Sequence, residues 1–119
     1  MALRCLIVDD SPVFLRAARA LLEREGVAVT VASTGAEALR LVQDLDPQVV
    51  LVDIDLGDES GFDLVLRLSG GTRVPRLILI SSHSAEDFQE LIVDSPAAGF
   101  LSKSRLSAAA IRSMMAAGG

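Results

Sequence analysis

The sequence predicts an α/β domain in which a doubly wound parallel sheet is sandwiched between helices. Short aliphatic runs alternate five times with longer amphipathic segments, and three of the five runs are nearly continuously apolar. Strands covered on both faces by crossover helices read this way, whereas a half-solvated strand alternates polar with apolar. Size agrees with that reading. The chain has 119 residues, 50% of them hydrophobic and 23% charged, enough for one core and too few for a second comparable domain. Residues 1–119 are therefore read as a single domain.

The runs of strand length are Leu3–Val8, Val27–Ala32, Gln48–Asp53, Arg76–Ser81 and Ala98–Ser102. After the first, Ser11-Pro12 supplies an N-cap followed by Pro at the first helical position, and Gly26 stands where a helix stops. On that helix Arg16, Arg19 and Glu23 share one face, with Phe14, Ala18, Leu21 and Leu22 towards the other. Thr34-Gly35-Ala36-Glu37 and Ser84-Ala85-Glu86-Asp87 both fit a capping box. They open helices with stripes Ala38/Leu41/Val42/Leu45 and Phe88/Leu91/Ile92. A third helix follows Gly61 with an Asp63–Arg67 pair at i,i+4, and Ser69-Gly70-Gly71 turns the chain after it. The fifth helix runs from about Ser107 to Met115. Five β-α units with right-handed crossovers give a parallel sheet between two helix layers.

Composition excludes several classes of function. No apolar stretch approaches the roughly 20 residues of a membrane helix, and Leu3–Val8 is cut short by Asp9 and Asp10 without a cleavage site after it. A lone cysteine, Cys5, excludes an internal disulfide or a Cys-rich zinc site; mid-strand, it reads as a small buried hydrophobe. Met114-Met115 reads as helix packing. Net charge −5 and 3% aromatic residues oppose a nucleic-acid surface of basic patches and stacking rings. A cytoplasmic protein is expected. Ten of the eleven basic residues are arginine; the one lysine is Lys103.

Chemistry is expected at the strand ends, because ligands of open α/β sheets bind outside the carboxyl ends of the strands. The first strand ends in Asp9-Asp10, the third in Asp53, the fourth in Ser81-Ser82, and the fifth leads to Lys103. Taken singly, each is an ordinary turn, cap or surface residue. Together, three carboxylates on adjacent strand tips repel one another unless a cation sits among them. An all-oxygen donor set with few protein ligands suits Mg²⁺, which keeps waters and takes phosphate oxygens. A carboxylate nucleophile, a hydroxyl, an ammonium and a divalent cation fit phosphoryl transfer.

Over Leu3 to Met115 the chain resembles the receiver domain of two-component response regulators, of the chemotaxis-regulator-like kind. The matching pieces are LIVDDSP, VVLVDIDLGDESGFDL, LILISS and GFLSK. The resemblance implies a flavodoxin-like fold with strand order 2-1-3-4-5. It implies Asp53 as phosphoacceptor, with Mg²⁺ held by Asp10 directly, Asp9 mainly through water, Asp53, and the backbone carbonyl of Asp55. Ser81 matches the switch hydroxyl, Lys103 the phosphoryl-pairing lysine and Phe100 the aromatic that follows the switch. The implied partners are a sensor histidine kinase or phosphotransfer protein, and an output partner on the face of the fourth helix, fifth strand and fifth helix. A homodimer stays open; membrane and nucleic-acid partners are not expected.

This sequence departs from the family pattern at a few positions. Gly57 replaces the common Pro four residues after the phosphoacceptor, which predicts a looser loop. Ser104 replaces a common Pro after Lys103, so no cis X-Pro bond forms there, and Ser82 replaces the usual Ala. Asp55 and His83 sit two residues after Asp53 and Ser81, where the family tunes the lifetime of its phosphoryl group. Two alternatives remain beside the phosphorylation switch. One is a phosphorylation-independent interaction module, the other a flavodoxin-like nucleotide or flavin binder, whose loop after the first strand would have to accept phosphate where this chain has Asp-Asp-Ser-Pro. No helix-turn-helix or catalytic segment follows Met115, so the chain reads as a stand-alone receiver or as the receiver part of a longer protein, with Gly118-Gly119 an end or the start of a linker.

Overall fold

The computed structural model describes residues 2–83 and 85–117. Five strands form one parallel sheet: β1 (Arg4–Val8), β2 (Ala28–Ala32), β3 (Val49–Asp53), β4 (Arg76–Ser81) and β5 (Gly99–Ser102), in the order β2-β1-β3-β4-β5. The central strands β1, β3 and β4 are the apolar runs. Every residue of β3 is buried, whereas the edge strands β2 and β5 are partly open.

Alternation within the strands divides the core. Cys5, Ile7, Leu51, Ile78 and Ile80 face one side, where α1 (Pro12–Arg24) and α5 (Ala108–Ala117) contribute Leu15, Leu22 and Ile111. Leu6, Val8, Val50, Val52 and Leu79 face the other. There α2 (Gly35–Leu45) and α3 (Gly61–Ser69) bring Ala38, Val42, Leu64 and Leu68. Burial lifts the Cys5 thiol pKa to about 12, so it stays neutral and serves as core, as its mid-strand position predicts. Met114 and Met115 pack half-buried on the α1/α5 side.

The caps form largely as the sequence predicts. Ser11 Oγ accepts from Phe14 N at 3.2 Å with Pro12 at the first helical position. At the other end Gly26, φ +87°, gives Gly26 N to Glu23 O and Val27 N to Leu22 O, the paired bonds of a Schellman end. Thr34 Oγ1 accepts from Glu37 N, but the Glu37 carboxylate accepts from Ser33 N, one residue before the cap. Glu25, just past α1, accepts from Ala108 N at 2.9 Å and caps α5 from 83 positions away.

Three expectations fail. Asp63 and Arg67 share the exposed side of α3 but form no ion pair among the described residues. The fourth helix is shorter than its apolar stripe suggests: a 3₁₀ turn, Ala85–Phe88, precedes α4 (Gln89–Asp94), and Ser84 of the expected capping box lies outside the described residues. Leu91, assigned to that stripe, is 55% exposed, while Phe88 and Ile92 pack on the core edge. The loop after Asp53 is not loose. Asp55–Leu56 pairs antiparallel with Glu59–Ser60 around Gly57-Asp58, and Gly57 has φ +78°. Gly at the first position of a two-residue hairpin loop is the type II′ pattern, and the φ fixed by Pro could not adopt it.

Candidate functional site

The sheet register collects the predicted residues. Asp53 ends β3 opposite Ile80, and Ser81 ends β4 opposite Ser102. Lys103 follows directly in a short 3₁₀ turn, Lys103–Arg105. On the neighbouring strand Asp9 continues β1, tied to β2 by Asp9 N to Ala32 O.

Asp9 is fully buried, Asp53 is 7% exposed and Asp10 lies open. One carboxylate oxygen from each falls within a common 4.8 Å. Lys103 Nζ lies 2.6 Å from Asp9 Oδ2 and donates to Asp53 Oδ2 at 3.2 Å. The Asp9 contact is an ion pair without hydrogen-bond alignment, so Asp9 Oδ2 is a buried oxygen with no hydrogen bond. Its other oxygen accepts from Ser11 N at 2.8 Å. Three carboxylates against one ammonium leave the pocket two negative charges in excess.

Burial, and next the Asp9 charge, push the Asp53 carboxyl up to about 6, against the pull of Lys103 and of the Asp55 N–H. Burial draws the Lys103 ammonium down; its close contact with the Asp9 carboxylate and the Asp53 and Asp9 charges outweigh that, and the net direction is up. The ammonium stays charged. Lys103 Nζ also stands 4.3 Å from the centroid of Phe14, a cation–π contact that positions the lysine from below.

A divalent cation fits these residues. The donors are all oxygen, the excess charge is two, and a buried carboxylate oxygen lacks a hydrogen bond. The hairpin closes the site from the other side. A Cβ on Gly57 would stand 3.0 Å from Asp10 Oδ2, and Asp55 N donates to Asp53 Oδ1 at 3.3 Å. The Asp55 side chain is spent on its own turn, accepting from Gly57 N at 3.0 Å. Ser81 Oγ, buried, accepts from His83 N at 3.0 Å and lies 3.5 Å from His83 Nδ1. His83 meets the edge of Phe88, and both line an open hollow of about 460 Å³ beside Ser81, Asp55 and Gly57. Phe100 sits half-buried on β5 against the α2/α3 side of the core.

Residues 5–115 match the family profile of the response regulator receiver domain. The chain belongs to that family. Among curated proteins, this receiver domain is 40% identical over 82 residues to the transcriptional regulatory protein KdpE of Mycobacterium tuberculosis, covering 69% of this chain and 36% of KdpE. It is 32% identical over 100 residues to the alginate biosynthesis transcriptional regulatory protein AlgB of Pseudomonas syringae, covering 84% of this chain and 22% of AlgB. The chain thus spans well under half the length of either relative. Among solved structures, a CheY-like receiver domain from Methylobacillus flagellatus superposes with TM-score 0.82 at 21% identity over all of both chains. A LuxR-family two-component response regulator from Aurantimonas gives 0.81 at 26% identity, over 98% of this chain and 87% of that one. The five-stranded parallel sheet in the order 2-1-3-4-5 is the receiver fold.

Of the expected residues, Asp9, Asp10, Asp53 and Lys103 meet at one point, Ser81 and Asp55 stand beside it, and Phe100 lies outside that cluster in the β5 packing. Sequence reasoning missed two residues that shape this receiver site. Phe14 was legible only as an apolar residue of α1, with nothing to show that Lys103 would lie over it. Gly61 read only as the residue a helix follows, yet a Cβ there would collide with the Asp53 carbonyl oxygen and come 2.8 Å from Ile54 Cα. Gly61 N instead donates to Ile54 O at 2.7 Å.

Proposed function

We propose that this receiver domain is a phosphorylation-dependent signalling switch whose phosphoacceptor is Asp53. The observation that carries this is the Lys103 ammonium set between Asp9 and Asp53 at the sheet edge, with a surplus of buried negative charge around it. Mg²⁺, when bound, would be held by Asp9, Asp10, Asp53 and the Asp55 carbonyl, and would neutralise phosphoryl oxygens.

The chain's own residues do the rest. An Asp53 carboxylate oxygen attacks phosphorus in line; the bond to the donor's imidazole nitrogen or acyl oxygen breaks, and the electron pair leaves with the donor. With its carboxyl pKa near 6, Asp53 is mostly ionised at neutral pH, as a nucleophile requires. Lys103, already charged and held on Phe14, pairs with the new phosphoryl oxygens. Ser81 must exchange its bond from His83 N for one to the phosphoryl group. Phe100 then follows Ser81 inward, and the face of α4, β5 and α5 changes for an output partner. A sensor histidine kinase, a phosphotransfer protein or a small phosphodonor supplies the group. The domain transforms no outside substrate; it catalyses only its own phosphorylation and dephosphorylation. Among the described residues no helix is long and apolar enough to cross a membrane, and a cytoplasmic setting completes the proposal.

Fluorine NMR with Mg²⁺ and beryllofluoride tests it. Protein-bound fluoride resonances, absent when Asp53→Ala replaces the wild type, are expected. Equal resonances from both proteins would refute Asp53 as the acceptor.

A further inference from the structure

A hollow at the end of the sheet opposite the acidic site is lined mainly by basic and apolar residues. It measures about 740 Å³ and opens among the loops that enter β1, β3, β4 and β5, and three of the ten arginines line it: Arg4, Arg73 and Arg76. Among its described lining residues one, Asp46, is acidic. In a chain of net charge −5, this is a local excess of two positive charges.

The guanidinium groups are placed but barely used. Arg4 Nη2 donates to the Asp46 carbonyl at 3.1 Å, while Arg4 N donates to Gln48 Oε1 at 2.9 Å. Arg76 Nη2 donates to Met115 O at 3.1 Å. Arg73 meets only the Asp46 carboxylate, 3.7 Å away, in a pair whose side chains are 72% and 57% exposed. Such a pair adds little in water, and each guanidinium carries five N–H donors in a planar fork. Asp46, which offers both its carbonyl and its carboxylate, is the one non-glycine with positive φ among the described residues, at 49°. Apart from Gln48, whose side-chain oxygen is taken by Arg4 N, the remaining wall is apolar, with Val74 51% exposed beside buried Leu77.

We propose that this basic hollow binds a small organic phosphate of about nucleotide size. Guanidinium forks match phosphate oxygens two at a time, and the volume lies in the range of small-ligand sites. The apolar wall takes the uncharged body of the ligand. Asp46 acts as an internal competitor: it occupies Arg73 until a better anion displaces it. The site lies at the far end of the strands from Asp53 and does not depend on phosphorylation there.

The test is an NMR titration of the whole chain, labelled at arginine Nε, in Mg²⁺-free buffer at constant ionic strength. ADP, pyrophosphate and a hexaglutamate peptide serve as separate probes. ADP is expected to give saturable shifts at Arg4, Arg73 and Arg76, and to bind more tightly than pyrophosphate. Arg73→Gln should weaken ADP about fivefold. Asp46→Asn, which keeps a residue tolerant of positive φ while removing the competing charge, should tighten ADP by a similar factor. No saturation below about 10 mM, or an unchanged or weaker Asp46→Asn, overturns the proposal. Pyrophosphate binding as tightly as ADP overturns the role of the apolar wall. Hexaglutamate binding where ADP does not replaces the small-molecule reading with a peptide one.

Discussion

Asp53 is the residue on which charge, burial and chemistry meet. Its carboxyl titrates near 6 instead of its ordinary 3.8. Between those values the folded chain holds a proton that the unfolded chain has released, so this residue's contribution to stability falls as pH rises through the window. Below about 3.8 the residue is neutral in both states and costs nothing; above about 6 the penalty is complete. A shift of that size corresponds to about 3 kcal/mol. In EDTA, the stability difference between Asp53→Asn and wild type should therefore grow from pH 4 to pH 7 in urea unfolding. A difference that stays flat contradicts the assigned environment. Mg²⁺ should reverse the penalty at neutral pH, adding about 2.7 kcal/mol to the wild type at a hundredfold excess over its Kd. Lys103 is the counterweight. Lys103→Ala strands the Asp9 carboxylate, fully buried and with one oxygen lacking any hydrogen bond; about 3 kcal/mol of destabilisation is expected without metal. Equal stability of that variant and wild type would show that Asp9 has another partner.

At the scale of elements, the β3–α3 connection decides how closely the site closes. Gly57 and Gly61 are both needed there, for different reasons. Gly57 has φ +78°, and its N–H donates to Asp55 Oδ1. Gly57→Pro would therefore lose both the backbone conformation and the bond, although Pro is the commoner family residue at that place. We expect a loss of about 2 kcal/mol, read from thermal or urea unfolding. An unchanged or raised stability would mean the hairpin is not the stable form of this loop. Gly61→Ala pushes a methyl into the Asp53 carbonyl, and a cost of about 2 kcal/mol should accompany a displaced Asp53, seen as slower phosphorylation if Asp53 is the acceptor. These features were hidden in the sequence. DLGDES reads as a polar loop because neither strand residues nor an Asn-Gly or Asp-Gly signal flank its Gly-Asp turn. The close approach of α3 to β3 involves residues that only the fold brings together. The strands, by contrast, were legible to within one residue at their starts, since apolar runs covered on both faces leave a continuous pattern.

For the whole molecule, legibility follows burial. The helices α1 and α2 seat apolar faces on the sheet, and their stripes and caps announced them. The fourth helix buries no residue, is six residues long, and leaves Leu91 and Val93 more than half exposed. Its sequence stripe gave a longer helix because Phe88 and Ile92 are spaced for one, while the packing that would hold it is thin. Such an element opens locally at low free energy. Amides of α4 should exchange hydrogen much faster than those of β3, and beryllofluoride should slow them if this face is the one that the switch rearranges. Equal protection of α4 and β3 would contradict the first point; unaltered exchange on activation would contradict the second. The acidic site residues were legible because strand ends of a doubly wound sheet converge, which turns separate aspartates and one lysine into a cluster. The support beneath them, Phe14 under Lys103, was not.

Intact-mass spectrometry after incubation with Mg²⁺ and acetyl phosphate bears most directly on the central claim. The wild type should gain the mass of one phosphoryl group, labile to base as an acyl phosphate is, and should gain none when EDTA is present throughout the incubation. Asp53→Ala should gain none. A wild type that takes up no phosphoryl group, or an Asp53→Ala that takes up as much, would contradict the assignment of Asp53 as the phosphoacceptor.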